Sequence, residues 1–598
     1  MTEEFKNAIK WPIDSQLISR KRKKIKRELL EDGRKRNELR IAILGGSTTN
    51  DVQDFMELFL LDESIKPEFY ATEYGKYWEE GVFDNPELKD FNPQIVYIHT
   101  SSRNITEWPN TTSSTAETDD LASAQIAHFE QLWSSLEDKY GCSIIQNNFE
   151  RPLYRLLGNQ DVCYPGGSSY FVHLLNDRLY KYAQEHANFF VHDIDYLSAD
   201  YGLSAWHDAQ SWNLYKSAFA LSAGPAFAFN LTRIIKSLLG RNKKALSLDL
   251  DNTMWGGIVG DDGVENLEIG NETAVGQSYL SFQAYLKELK KLGVILSVNS
   301  KNDEENALAG LEHPDGVIRP DDFIDIKANW NPKDMNLAET ADEIGIGIDS
   351  FVFVDDNPAE RSRISQQYPD VNTPEFSSPD ECISVLDHSG FFEASSITGD
   401  DAKRNEMYKA NVSRKKQERQ FADYDDYLRS LDMHATVGDF DPVHISRIAQ
   451  LTNKTNQFNL TTKRITESEM RQFAQDDNLI RLSGRLEDKF GDNGLISVVM
   501  GSVDGEVLNI DLWLMSCRVL KRGMEQVMFD ELVRRCGIRG IKTIRGYYYP
   551  TAKNGMVKDF YKELGFIKET EDADGNTIWL FNTDNYSNKN TIIDVNIV

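Results

Sequence analysis

The sequence predicts a multidomain α/β protein built on parallel sheets that carry their functional groups at strand ends. Three observations predict it. Short apolar runs at residues 39–44, 95–99, 245–250, 293–298 and 350–354 alternate with helical segments. Several of these runs stop abruptly in hydroxyl or acidic residues, where α/β sheets place their chemistry. The 598 residues correspond to roughly four domains on the usual length prior.

The composition is that of a globular protein, with 40% hydrophobic and 27% charged residues. A formal net charge of −29 argues against nucleic acid or an anionic membrane as partner, because no general basic field is present. No apolar run is long enough to span a bilayer, and the N-terminus lacks an apolar signal core. The five cysteines are scattered and lack metal-ligand spacing. A cytoplasmic location with reduced thiols is expected.

The first domain is expected over residues 1–232. Its basic run at 20–27 precedes Glu28, Leu29, Leu30 and Glu31, and reads as a solvated helix face. Four strands follow, at 39–44, 95–99, 143–146 and 189–191, in a doubly wound parallel arrangement. Ser47 follows the first strand, and His207 lies in Ser204-Ala205-Trp206-His207-Asp208. These positions resemble the nucleophile and late histidine of SGNH-type hydrolases. Ser204 stands where that family's orienting aspartate would be, leaving Asp208 or Asp200 as substitutes. The departure favours a recognition domain over a working esterase.

The second domain, 233–385, opens on a buried strand at 245–250 running into Asp249-Leu250-Asp251-Asn252-Thr253 and Trp255-Gly256-Gly257. Two carboxylates at the end of a buried strand are costly unless a cation or a reaction uses them. Such a pair suits Mg²⁺, and a carboxylate can also attack phosphorus. Downstream come Asn299-Ser300-Lys301-Asn302, then Asn329-Trp330-Asn331-Pro332-Lys333, then Asp355-Asp356-Asn357-Pro358. Carboxylate, hydroxyl, lysine and acidic pair thus succeed one another across a single α/β domain. Phosphoryl transfer needs these groups, since its transition state spreads negative charge over the equatorial oxygens.

This order resembles the four motifs of the haloacid-dehalogenase phosphatases, and more closely their FkbH-like branch. The resemblance implies Asp249 as nucleophile, Asp251 as general acid and base, and Ser300 and Lys333 on the phosphoryl oxygens. It implies Mg²⁺ held by Asp249, Asp355 and the main-chain carbonyl of Asp251, with Asp356 as a further acidic contributor. About fifty residues separate Asp249 from Ser300 and about thirty separate Ser300 from Lys333. Neither interval has room for a lid domain, so a capless Rossmann-like core with an open site is expected. Glyceryl-transferring relatives carry a cysteine just before this serine; here Asn299 stands there, which argues against a thioester intermediate.

Residues 386–431 read as a charged helical connector. In the last domain, 432–598, strands at 494–500 and 507–515 flank the turn Val503-Asp504-Gly505-Glu506. The stretch Arg518-Val519-Leu520-Lys521-Arg522-Gly523-Met524, and Asn554 to Phe566, resemble the pyrophosphate loop and late signature of GNAT acyltransferases, an α+β fold. That implies acetyl-CoA or another acyl-CoA as cofactor, bound by Arg518, Arg522, Gly523 and Met524, with Tyr561 protonating the departing thiolate. Lys521 replaces the family's first loop glycine. The polar stretch 453–462 is either a plain surface loop or one that binds an acceptor.

These readings converge on a Mg²⁺-dependent phosphatase acting on a small phosphorylated metabolite, phosphoglycerate-like or sugar-derived, and linked to acyl transfer. The resemblance implies polyketide or surface-polysaccharide synthesis as the setting. The rivals are a glyceryl or acyl transferase loading an acyl-carrier protein, and a scaffold whose flanking domains only bind partners.

Overall fold

A computed structural model describes residues 1–395, 404–455, 457–465, 467–516, 519–551 and 553–598. Its parallel and mixed sheets make the chain α/β, and it divides into two compact units. The first comprises Met1–Leu238 with the short stretch Ile465–Gln472; the second comprises Leu239–Arg464 and Phe473–Val598. Among the described residues no helix is long and apolar enough to cross a membrane.

The first unit holds a five-stranded sheet of β1 (Asn37–Gly45), β2 (Ile65–Ala71), β3 (Ile95–His99), β4 (Ser143–Asn147) and β5 (Phe189–His192). Their order is β2-β1-β3-β4-β5 and every pairing is parallel. β3 is buried along its whole length, so it reads as a continuous apolar run. β2 has no such run: it contains Pro67 and exposed charged residues, as an edge strand tolerates. The basic run lies on the helix Ser15–Leu30, whose Arg22 and Lys26 pair with Asp51 and Glu57.

The second unit contains two sheets. The first is β6 (Ala245–Leu248), β7 (Ile295–Ser300), β8 (Asp325–Ala328) and β9 (Phe351–Val354), parallel throughout in the order β8-β7-β6-β9. Leu248 stands opposite both Val298 and Val354. Asp249 and Asp355, the next residues on their strands, therefore leave the sheet side by side, about 4.8 Å apart by strand spacing. The strand order reverses between β6 and β9, and such a switch point is where open α/β sheets bind ligands. Between β6 and β9 the described residues make only helices, short turns and the strands β7 and β8, with no inserted sheet.

The other sheet is mixed. It runs β16 (Ile567–Glu571), β17 (Thr577–Asn582), β15 (Thr543–Tyr548), β14 (Val507–Met515), β13 (Gly491–Asp504), β12 (Leu479–Asp488), β10 (His434–Gly438) and β18 (Asp594–Ile597), with β11 (Phe458–Asn459) on β14. The helix Met524–Ile538 packs on it through Met528, Phe529 and Leu532. The polar stretch around Asn459 is not a surface loop: Phe458 and Asn459 pair with Met515 and Leu514, and both are buried. Asn554 donates to the Asn459 carbonyl at 2.9 Å, satisfying a buried backbone group.

The connector contains the helix Arg404–Glu418; residues 396–403 lie outside the described residues. Tyr408 and Val412 pack with Leu337, Ile344 and Phe353 of the parallel-sheet domain. On the other side Arg414 makes a two-pronged ion pair with Asp488 of β12, at 2.8 and 2.7 Å. The helix is therefore a packed joint within the second unit. Asp488 is fully buried and also receives Arg522 at 3.3 Å. Asp488→Ala leaves two guanidinium groups without this carboxylate, and is expected to cost about 3–5 kcal/mol of stability. Denaturant unfolding of the variant measures this; a loss below 1 kcal/mol contradicts the assigned role.

Candidate active site

The centre forms where β6 and β9 end. Lys333, the first residue of the helix Lys333–Ile344, turns its ammonium inward and is 2% exposed. Its Nζ lies 2.8 Å from Asp249 Oδ2 and 2.6 Å from Asp355 Oδ2. Carboxylate oxygens of Asp249, Asp355 and Asp356 lie within 4.8 Å of one another. Three hard oxygen donors converging on one point fit Mg²⁺, which takes few carboxylates and leaves room for water and phosphate.

The electrostatics follow from burial and crowding. Burial, then the adjacent Asp249 charge, pushes the Asp355 carboxyl up to about 6. The same two causes, in the same order, raise Asp356. Burial pulls the Lys333 ammonium down, but the charges of Asp249 and Asp355 outweigh it and hold lysine above its ordinary value. Asp251 is raised by burial, against hydrogen bonds that favour its ionised form.

Those hydrogen bonds come from residues whose roles the sequence did not disclose. Asp251 Oδ1 accepts from Trp255 Nε1 at 2.9 Å and from the Val259 N–H at 3.0 Å. Asp251 Oδ2 accepts from Asn302 Nδ2 at 3.0 Å. The loop can turn back on itself because Asn252 and Gly257 adopt φ values of 56° and 101°. Trp255 is buried against Gly310, where an added Cβ would stand 2.7 Å from the indole.

The acidic loop after β9 is fixed from several sides. Thr253 Oγ1 accepts the Asp356 N–H at 3.2 Å. Arg361 donates to the main-chain carbonyls of Asp355 and Asp356 at 2.7 and 2.8 Å. Ser300 ends β7 and is buried, and its carbonyl accepts the Asn329 N–H at 3.1 Å. Asn299 donates to the Lys333 carbonyl at 2.8 Å and accepts from Asn336 at 3.2 Å. Asn299 therefore holds the start of the helix that carries Lys333.

In the first unit Ser47 is buried and its Oγ has no hydrogen-bond partner. His207 Nε2 pairs with the Arg151 carbonyl at 3.0 Å, so Ser47 and His207 are not joined as nucleophile and base. Asp208 is occupied in capping the helix Ala209–Tyr215 through Gln210 and Ser211. The buried carboxylate that feels His207 is Glu150, which accepts both the N–H and the hydroxyl of Ser102.

The acyl-CoA loop is also placed differently from expectation. Arg518 and Cys517 lie outside the described residues. Arg522 is buried on Asp488 and on Asn411, and so faces the connector helix rather than a ligand. Gly523, at φ 93°, precedes the helix Met524–Ile538, and Met524 is buried in the core. The Lys521 N–H, which a diphosphate would use, donates to Glu525 Oε1 at 2.9 Å. Tyr561 is fully buried, and burial drives its hydroxyl far above the ordinary tyrosine range, so it is not placed to give a proton to a thiolate.

The profile of the FkbH N-terminal domain matches residues 40–236. The crystal structure of the N-terminal part of the Bacteroides fragilis protein BF1531, described as containing a phosphatase domain complexed with Mg, is 29% identical, with a TM-score of 0.58. It covers 63% of this chain and 99% of its own. Spermidine N-acetyltransferase from Vibrio cholerae, in complex with CoA and spermine, is 12% identical over 25% of this chain and 96% of its own, with a TM-score of 0.20. No curated protein matches the chain. Over most of its length, then, the chain is similar to a phosphatase-containing protein, and its own carboxylate–lysine centre has the groups such a domain requires.

Proposed function

We propose that the chain is a Mg²⁺-dependent phosphatase that hydrolyses the phosphomonoester of a small metabolite through an aspartyl-phosphate on Asp249. The observation that carries this reading is Lys333 Nζ bridging Asp249 and Asp355 at 2.8 and 2.6 Å, with Asp356 completing the carboxylate set.

Asp249 is the nucleophile: one carboxylate oxygen attacks phosphorus while the other stays with Lys333. Lys333 keeps the carboxylate ionised and offsets charge on the phosphoryl oxygens, a task worth most in a buried, pre-formed site. Ser300, at the end of the adjacent strand, donates to the same oxygens. Asp251, raised by burial, holds a proton for the departing alkoxide and then takes one from the attacking water. Asp249, Asp355 and Asp356 would hold Mg²⁺, whose charge supplies further stabilisation of the phosphoryl oxygens.

A panel of phosphorylated metabolites, assayed for phosphate release with and without a chelator, tests the reading. Release that depends on Mg²⁺ supports it; release unaffected by chelation contradicts it. Proton linkage gives a second check. In the metal-free protein Asp355 is protonated below about 6, and a metal ligand must be ionised. Mg²⁺ affinity is therefore expected to fall about tenfold for each pH unit below that point and to level off above it. Calorimetry at pH 5 and pH 8 measures this, and equal affinities contradict it.

A further inference from the structure

The proposed acid, Asp251, marks the side on which the leaving group must lie, and the surroundings of that side define what the leaving group can be. Asn302 donates to Asp251 Oδ2 at 3.0 Å. The next residue, Asp303, accepts from Trp330 Nε1 at 3.0 Å. Trp330 is 71% exposed, on a loop tied to the centre by Asn329, whose N–H reaches the Ser300 carbonyl. Asn329 Oδ1 also takes the Asn331 N–H and Asn336 Nδ2, both at 3.0 Å. A single exposed indole is ordinary by itself; what sets Trp330 apart is the way it is held. Here its polar edge is anchored and its supporting loop braced, leaving the flat face free at the rim. Ile258, 44% exposed, precedes the Val259 N–H that binds Asp251 Oδ1, so it flanks the same side.

Charge narrows the choice. Asp303, Glu304 and Glu305 follow β7, and Asp261 and Asp262 follow Ile258; all five are exposed. Of the neighbouring cations, Lys301 is paired with Glu360 at 2.6 Å, and Arg361 turns one nitrogen to the main-chain carbonyls of Asp355 and Asp356. A leaving group bearing a carboxylate would meet this excess of like charge on the Asp251 side. A polyol ring has what the rim lacks: C–H faces that stack on an aromatic, and hydroxyls that donate to carboxylates.

Resting on the phosphatase reading, we propose that the leaving group is an uncharged sugar ring stacked on Trp330, with hydroxyls donating to Asp303, and that Trp330 sets specificity against carboxylate-bearing esters such as phosphoglycerate.

The test compares kcat/KM of the full chain, with Mg²⁺, on hexose 1- and 6-phosphates, 3-phosphoglycerate and acetyl phosphate. The last has too small a leaving group to cover the indole. The best hexose phosphate is expected to exceed 3-phosphoglycerate by at least about tenfold. Trp330→Ala is expected to lower the hexose-phosphate to acetyl-phosphate ratio about tenfold, mainly through KM, and Trp330→Phe to restore most of it. Preference for 3-phosphoglycerate overturns the proposal, as does an equal loss on both substrates in Trp330→Ala, which would mean only a damaged loop. Turnover of acetyl phosphate with no sugar preference overturns the proposal alone. Absence of turnover on every ester overturns the phosphatase reading and this proposal with it.

Discussion

Asp249→Asn is expected to abolish phosphatase turnover, by about 10⁴-fold or more, while the fold persists. The substitution keeps size and shape but removes the carboxylate proposed as nucleophile, and loss of a covalent nucleophile commonly costs that much. It also removes one of the two negative charges facing Lys333, so the buried ammonium keeps Asp355 and the site stays paired. An unchanged circular dichroism spectrum with residual activity below about 10⁻⁴ of wild type is the expected result. Activity within tenfold of wild type would assign the nucleophile elsewhere.

Lys333→Met is expected to damage both catalysis and stability, and the pH dependence of the two separates the causes. The ammonium is 2% exposed and holds two carboxylates. Without it turnover should fall about 10²–10³-fold, as when a pre-organised charge is removed from a transition state. Without metal, Asp249 and Asp355 confront each other at neutral pH, which costs about 3–5 kcal/mol. Asp355 is already raised towards 6, and removal of Lys333 raises it further. A carboxyl raised in the folded state favours folding at low pH and loses that advantage as pH rises through its folded value. The variant should therefore lie closer to wild type in stability at pH 5 than at pH 8, and Mg²⁺ should recover part of the difference at pH 8. Thermal unfolding with and without chelator measures this. Equal destabilisation at both pH values would mean lost packing and not lost charge.

The parallel-sheet domain was legible because each of its strands but one is an apolar run closed by polar residues. Residues 245–250, 293–298 and 350–354 match β6, β7 and β9 to within two positions at each end. β8 was not, because Asp325 and Lys327 interrupt it and it lies at the sheet edge. Asp249 and Asp355 are brought together by strand register, and Lys333 reaches them from the first position of the helix after β8. The braces around Asp251 were not legible in the same way. Trp255 and Asn302 are 47 positions apart, and nothing in either residue type announces a shared carboxylate.

The C-terminal domain shows the opposite failure. Arg522 and Tyr561 occupy sequence positions that suggested ligand contact, yet Arg522 is committed to Asp488 and Asn411, and Tyr561 to the core. A motif fixes where a residue lies along the chain. Whether its side chain faces a ligand depends on partners such as Asp488, 34 positions away, which local patterns cannot reveal.

The stereochemical course at phosphorus distinguishes attack by Asp249 from direct attack by water. A substrate ester made chiral at phosphorus with isotopic or sulfur-substituted oxygens is turned over by the full chain, and the configuration of the released phosphate is determined. Attack by Asp249 followed by attack of water inverts the centre twice, so net retention is expected. Net inversion would mean that water attacks the substrate directly, and would contradict the aspartyl-phosphate on Asp249.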